Sequence, residues 1–396
     1  MWRVRPFHLI CIPWVCLILS SVLSAHPLLQ APGFTQTKGG EGGRQIPVTH
    51  LKPTGPGSLA AALNAAGPRV VVFKVAGVID LNKRIISIRR PNLTIAGETA
   101  PSPGITLIKG GISVETHDVI IRHLRVRPGD AGERKRSGWA VDAITTSGPS
   151  AHDIIIDHCS LTWSTDENLS VSGSRFEGPE GTSRRVTLRN NLIAEGLHDS
   201  THPKGKHSKG TLVHDFCQEI AVIGNLYAHN DERNPYFKSH TNGVIVNNLI
   251  YNPATNAIQL GYAPLQFFEF NPRPKLAEVA IVGNVLLHGP DTRGLFPLPL
   301  VSRHGRAWLE DNAAYNRKGR AVRTRTIMVR PLKEKPVWPE GLNPLPADQL
   351  EQHILQHVGA RPWDRDAIDM RILDTLRERK GEIIDSQDAV GGYPVR

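Results

Sequence analysis

Cysteine is almost absent from this chain: four in 396 residues, and two of those, Cys11 and Cys16, lie in the first 25. The other two, Cys159 and Cys217, sit in apolar strand-like runs. Two thiols make no disulfide framework, so buried free thiols are expected. Beyond residue 25 no stretch is apolar enough to span a bilayer. The formal charge is +10, yet no Lys/Arg block dominates, which makes nucleic acid the poorest partner and leaves an anionic membrane or an acidic polymer. A 3.6-residue apolar period is missing from the body of the chain, which excludes helical repeats. So are a twelve-residue calcium loop and an adjacent Asp pair on which a glycoside hydrolase could anchor its two carboxylates.

What is present begins with a positive start at Arg3 and Arg5. A mostly apolar run from Phe7 to Leu23 follows, then small residues at Ser24 and Ala25. This reads as a signal peptide over residues 1–25, hence secretion, with no membrane attachment once it is removed. The remainder keeps a charge of about +8 after two Arg are lost with the leader. Thirty Pro and 36 Gly indicate many turns.

The chain repeats itself. "HDVIIRHL" at 117–124 and "HDIIIDHC" at 152–159 are in register 35 residues apart. Looser copies start at Val186, Ile220, Gly243, Val279 and Ala307. Each is a short β-branched strand, a turn-prone residue, then Asn or His, then apolar residues. Asn191, Asn225, Asn248, Asn284 and Asn312 follow His158 at intervals of 23 to 36 residues. Short strands at that spacing, each closed by a side chain able to form a hydrogen-bonded ladder, indicate a stacked solenoid. The fold expected is all-β, a right-handed parallel β-helix over residues 46–320, in preference to a sandwich or propeller. "GSLAAALNAAG" at 57–67 predicts an N-terminal capping helix from Ser58 to Gly67, and residues 70–81 predict an early strand. Residues 321–396 predict a helical C-terminal extension that packs on the solenoid.

Three groups of residues carry chemistry. Asp142 lies one rung before "STDE", and neighbouring rungs stand about 4.8 Å apart, so Asp142 can approach Asp166 and Glu167. Clustered carboxylates either hold a hard cation such as calcium or are solvated surface acids. Arg233 and Lys238, five apart around Pro235, place two cations on the loop face. Between these groups, "EGLHDSTHPKGKHSKG" offers His198, His202, His207, Lys204, Lys206 and Lys209. Its Gly and Pro forbid the helix that a zinc reading of His198 and His202 requires, so a cationic loop gripping an acidic ligand fits better.

Together, "NLTIAGETAPSPGITL", "VIIRHLRVRPGD", "VDAITTSG", "IIIDHCSLTWSTDE", "GKHSKGTLV", "RNPYFK" and the closing "RDAIDMRIL…GEIIDSQDAVGGYP" resemble the pectate lyase superfamily. The likeness is to its secreted bacterial branch related to polysaccharide lyase family 1, and it runs from about residue 46 to 394. The resemblance implies calcium-assisted β-elimination on an acidic uronan, pectate or polygalacturonate. Another uronic-acid polymer, or a non-catalytic polysaccharide-binding β-helix, is the alternative. It implies Asp142 and Asp166, with Glu167, as calcium ligands, and Arg233 as the base that takes the C5 proton. It also implies Lys209, with His207 beside it, and Lys238 as substrate-binding groups, in a secreted monomer. Two positions depart from the family pattern: Lys238 stands for the second Arg of Arg-x-Pro-x-x-Arg, and Ser170 stands where many members have a third acidic ligand. Arg233 would act as a base only if Lys238, Lys209 and calcium together disfavour its charge.

Overall fold

The structure is a computed structural model describing residues 31, 33–267, 273–293 and 297–394. The leader read at 1–25 lies outside the described residues. Short β-branched strands recur along the chain and end at a corner where one residue takes a left-handed backbone. His123, His158, Asn190, Gly224, Asn247, Gly283 and Asp311 all have φ between 48° and 66° there. Gly, Asn, Asp and His are the residues that tolerate this conformation best.

The corners let the strands stack in parallel. Among the described residues, one sheet has 11 strands, from Arg44–Val48 through His152–Asp157 to Val329–Pro331. The second has 15, and a typical rung supplies two of them, such as Ser160–Thr162 and Glu167–Ser172. Register is exact in side-chain kind. Ile121, Ile156, Leu188, Val222, Ile245, Ile281 and Leu309 are successive partners, and all but half-buried Leu309 are sealed in the interior. Each fully buried aliphatic side chain contributes roughly 1.5–3 kcal/mol. In the neighbouring column Gly243 replaces the aliphatic residue, because a Cβ there would lie 2.0 Å from the Ile220 carbonyl oxygen. The result is the expected all-β parallel β-helix.

Just after each corner runs the Asn ladder. Asn191, Asn225, Asn248 and Asn284 each donate from Nδ2 to Oδ1 of the next, ending on Asn312, at 2.9–3.1 Å. The first rung of the ladder is Cys159, whose N–H donates to Asn191 Oδ1 at 2.8 Å. His158 is therefore not a ladder member. It is the left-handed corner residue, in the position of Asn190, and lies against His123 with ring centroids 5.0 Å apart and the planes tilted by 31°. Both cysteines are buried and free.

The capping helix α1, Leu59–Leu63, starts as expected, with Ser58 Oγ accepting from the Ala61 N–H at 3.1 Å. It stops at Asn64 rather than at Gly67. The run 70–81 is divided between Arg69–Phe73 and the start of Gly77–Ile88, because Lys74–Ala76 turn the first corner. After the last rung come α2, Leu350–His357, and α3, Ala367–Glu378. Their Leu350, Ile354, Ile372, Leu373 and Leu376 cover Leu192, Leu226, Leu249 and Val285 on the outer face of the second sheet. Asp366 and Asp369 of this strap meet the buried Arg127 at 2.6 and 2.8 Å. No helix among the described residues is long and apolar enough to cross a membrane.

Candidate functional site

The site lies where the two strands of the second sheet meet within a rung. Asp142 comes just before strand Ile144–Ser147, and Asp166 and Glu167 open the next strand, Glu167–Ser172. The N–H groups of Thr165 and Asp166 both donate to the Val141 carbonyl, at 3.2 and 3.3 Å, which pins the two rungs together. Asp142 Oδ1 accepts from the Glu167 N–H at 2.9 Å, and Asp142 Oδ2 accepts from Ser170 Oγ. Ser170 also meets Thr145 Oγ1 at 2.7 Å. The hydroxyl that replaces a third acid thus braces the first one.

Carboxylate oxygens of Asp142, Asp166 and Glu167 lie within 4.8 Å of one another. Such crowding has an electrostatic signature. Burial, reinforced by the Asp166 charge, pushes Asp142 up to about 7. Burial and Asp166 also raise Glu167 well above its ordinary value, against the pull of Arg233. Burial opposes the Asp166 charge, but the hydrogen bond from His207 outweighs it and holds that carboxylate below the usual range. Three oxygen donors that repel one another fit a hard cation, which would relieve the repulsion.

A second group, Asp166 with His202 and His207, also brings three ligand atoms within 4.8 Å. The imidazoles stack at 3.7 Å, with an interplanar angle of 2°. His207 Nε2 is 2.7 Å and His202 Nε2 3.7 Å from Asp166 Oδ1. The Lys204 N–H donates to His202 Nδ1 at 3.1 Å, so neutral His202 carries its proton on Nε2 and has no lone pair there for a metal. The loop aims Asp166; it does not build a zinc site. Its own anchors are Thr201 Oγ1 donating to the Trp139 carbonyl at 2.5 Å and the His198 N–H donating to Ile384 of the C-terminal segment at 2.8 Å.

Of the predicted cations, Arg233, Lys209 and Lys238 are each paired with a carboxylate, whereas Lys204 and Lys206 are exposed. Arg233, at a left-handed φ of 64°, bonds Glu167 through its guanidinium and Gln259 Oε1 through its N–H at 2.7 Å. Lys209, the register partner of Glu167, meets Glu232 Oε1 at 2.9 Å. Burial opposes the Glu232 charge, but Lys209 outweighs it and brings Glu232 down to about 2. Lys238 reaches the fully buried Asp215 at 2.8 Å and Gln266 Oε1 at 2.8 Å. Lys209 and Lys238 are thus each held by a carboxylate of the chain, and the carboxylate that meets Arg233 is Glu167.

Asp166, Glu167, His207, Glu232, Arg233 and Lys238 line a cavity of about 330 Å³ together with Lys204, His214, Tyr236, Gln259 and Arg303, while Asp142, Lys209 and Asp215 stand outside its lining. Glu232, Asp215, Tyr236, Gln259 and Arg303 escaped the sequence reading. Glu232 and Tyr236 had a signal, since both flank or lie within "RNPYFK".

No family model matches the chain. Over 393 residues it is 29% identical to a probable pectate lyase C of Aspergillus terreus, covering 94% of this chain and 82% of that protein. Its fold is similar to that of Jun a 1, the major cedar-pollen allergen, with a TM-score of 0.57 at 16% identity, covering 83% of this chain and 92% of the other. It is also similar to a pectate lyase bound to a hexasaccharide, with a TM-score of 0.56 at 13% identity, covering 86% of this chain and all of the other.

Proposed function

We propose that this chain, which belongs to the pectate lyase superfamily, is a secreted lyase that cleaves a de-esterified galacturonan by calcium-assisted β-elimination. The observation that carries the reading is the three-carboxylate corner beside Arg233, at the floor of a cleft lined by cations. Asp142, Asp166 and Glu167 would hold calcium. When bound, the ion supplies Lewis acidity toward the uronate carboxylate, stabilising the charge that develops as the C5 proton leaves.

The chain's own residues divide the remaining work. Lys209 and Lys238, buried and held by Glu232 and Asp215, fix two positive charges along the cleft for uronate carboxylates. His207, with His202 stacked on it, orients Asp166. Arg233 takes the C5 proton. It can do so only in a state where Glu167 no longer holds it, since an ion pair keeps a guanidinium protonated. The stacked strands of the lyase body run from Arg44 to Pro331, past the boundary at 320 expected from sequence, and the segment after them acts as the strap that anchors the loop bearing His198 and His207.

A second reading is a uronan-binding solenoid without turnover, favoured by the Glu167–Arg233 pair, which occupies the guanidinium that the lyase reading needs. The test is a panel of uronans, assayed for the ultraviolet absorbance of the unsaturated product with and without chelator, alongside calorimetric calcium titration. Absorbance that is lost with chelator, and calcium binding that is weakened in Asp142→Asn and Asp166→Asn, are expected. Absorbance unchanged by chelator would contradict the calcium role, and binding without any absorbance would favour the second reading.

A further inference from the structure

Elimination requires that two things leave the sugar: a proton from C5 and an oxygen from C4. The groups described so far address the first. The second departs as an alkoxide unless a proton reaches it, and a positioned acid lowers that barrier. Few groups in the cleft are free to supply one. Lys209 and Lys238 are committed to Glu232 and Asp215, and His207 Nε2 to Asp166. His214 is held neutral, at about 4, by burial and by Lys238. Its imidazole N–H is a far weaker acid than a phenol. Lys204 is exposed to bulk water.

Tyr236 differs from all of these. It sits on strand Tyr236–Phe237, three residues after Arg233, between Leu212 and Gln259 of the neighbouring rungs. The residue is only 8% exposed and lines the same cavity as Arg233. A buried tyrosine hydroxyl ordinarily finds a partner. The three other buried or strap tyrosines of the structure do so: Tyr227 with Thr211 at 3.0 Å, Tyr251 with the Lys380 carbonyl at 2.7 Å and Tyr393 with the Pro128 carbonyl at 2.7 Å. Among the described residues no hydrogen bond joins the Tyr236 hydroxyl to the protein, and that oxygen is not one of the sealed polar atoms, so it opens to the cleft. The Arg303 guanidinium lies 5.8 Å over its ring, and Arg233, Asp215 and Glu232 are the other charges that face it. A phenol kept without a protein partner at the floor of a cleft is placed to bond with what enters the cleft.

The geometry points to Tyr236 as the acid that protonates the departing glycosidic oxygen, a role that rests on the lyase reading above. As the base takes the C5 proton, the C–H electron pair becomes the second C4–C5 bond. The C4–O bond breaks and its pair stays on the oxygen. The Tyr236 Oη proton moves to that oxygen, which leaves as the hydroxyl of a new reducing end, and the phenolate regains a proton from water. Atoms and electrons balance without an oxidant or reductant.

The test is Tyr236→Phe, assayed on polygalacturonate and on a galacturonide carrying 4-nitrophenoxide at C4, a leaving group that needs no proton. On the polymer kcat should fall about 10²-fold or more, within the range for loss of a general acid. On the activated ether it should stay close to wild type, and the melting temperature should not change, since no protein hydrogen bond is lost. Equal losses on both substrates would make Tyr236 a positioning residue and overturn the proposal, as would an undiminished rate on the polymer. If the wild type gave no unsaturated product from any uronan, the lyase reading itself would fail and this role with it.

Discussion

Lys238 was expected to hold substrate, but the structure also gives it a structural duty, and the two can be separated. Asp215 is fully buried, and Lys238 at 2.8 Å is its nearest cation. Removing one partner of a buried pair leaves an unpaired charge in a low dielectric, at a cost of about 3–5 kcal/mol. Arg175 stands 3.6 Å from the same carboxylate and should trim that loss, so Lys238→Met is expected near the lower end. Adding Asp215→Asn removes the stranded charge while keeping the bond that Asp215 Oδ1 accepts from the Ser239 N–H at 3.1 Å. The double variant should recover most of the stability, as read by urea denaturation at constant m-value. With folding restored, a raised KM at unchanged kcat would report the missing carboxylate anchor. If Lys238→Met alone cost under about 1 kcal/mol, the value of a solvated pair, the reasoning about its burial would be refuted.

Asn225→Ala should cost about 2–4 kcal/mol, because it strands the Asn191 N–H and the Leu188 carbonyl inside the solenoid. Asn312→Ala, at the partly exposed end of the ladder, should cost clearly less, and equal denaturation midpoints would argue against a cooperative ladder. Acid should destabilise the fold early. Burial lowers His123 to about 3 and His214 and His229 to about 4, so the unfolded chain, with His near 6.5, takes up protons first. The stability contributed by these neutral histidines is complete above pH 6.5 and is lost as the pH falls from there toward 4, at about 1.4 kcal/mol per pH unit for each proton taken up. A denaturation midpoint flat between pH 6.5 and 4.5 would contradict this.

The fold was legible in the sequence because a parallel solenoid writes its register into the chain. A corner residue followed by Asn, after a β-branched run, marks each rung, and the carboxylates of successive rungs must then stand close together. His158 misled by one position, since it is itself a corner residue and the ladder site beside it holds Cys159. The partners of the site residues were hidden for a different reason. Glu232, Gln259 and Arg303 line the cleft, and Asp215 lies buried beside Lys238, from rungs joined by loops of unequal length, so spacing does not reveal which of them face each other. The clamp of Arg125 and Arg127 on Asp366 and Asp369 joins residues about 240 positions apart, with no repeat to relate them.

The most direct test of the central claim is the ratio of unsaturated ends to new reducing ends when the purified protein cuts polygalacturonate. Elimination produces one of each at every cleavage, whereas hydrolysis produces reducing ends alone. The account predicts equal numbers, with both falling together in Arg233→Lys, where the charge is kept but the geometry and proton affinity of the base are changed. Reducing ends without unsaturated ends, or equal turnover by Arg233→Lys, would contradict it.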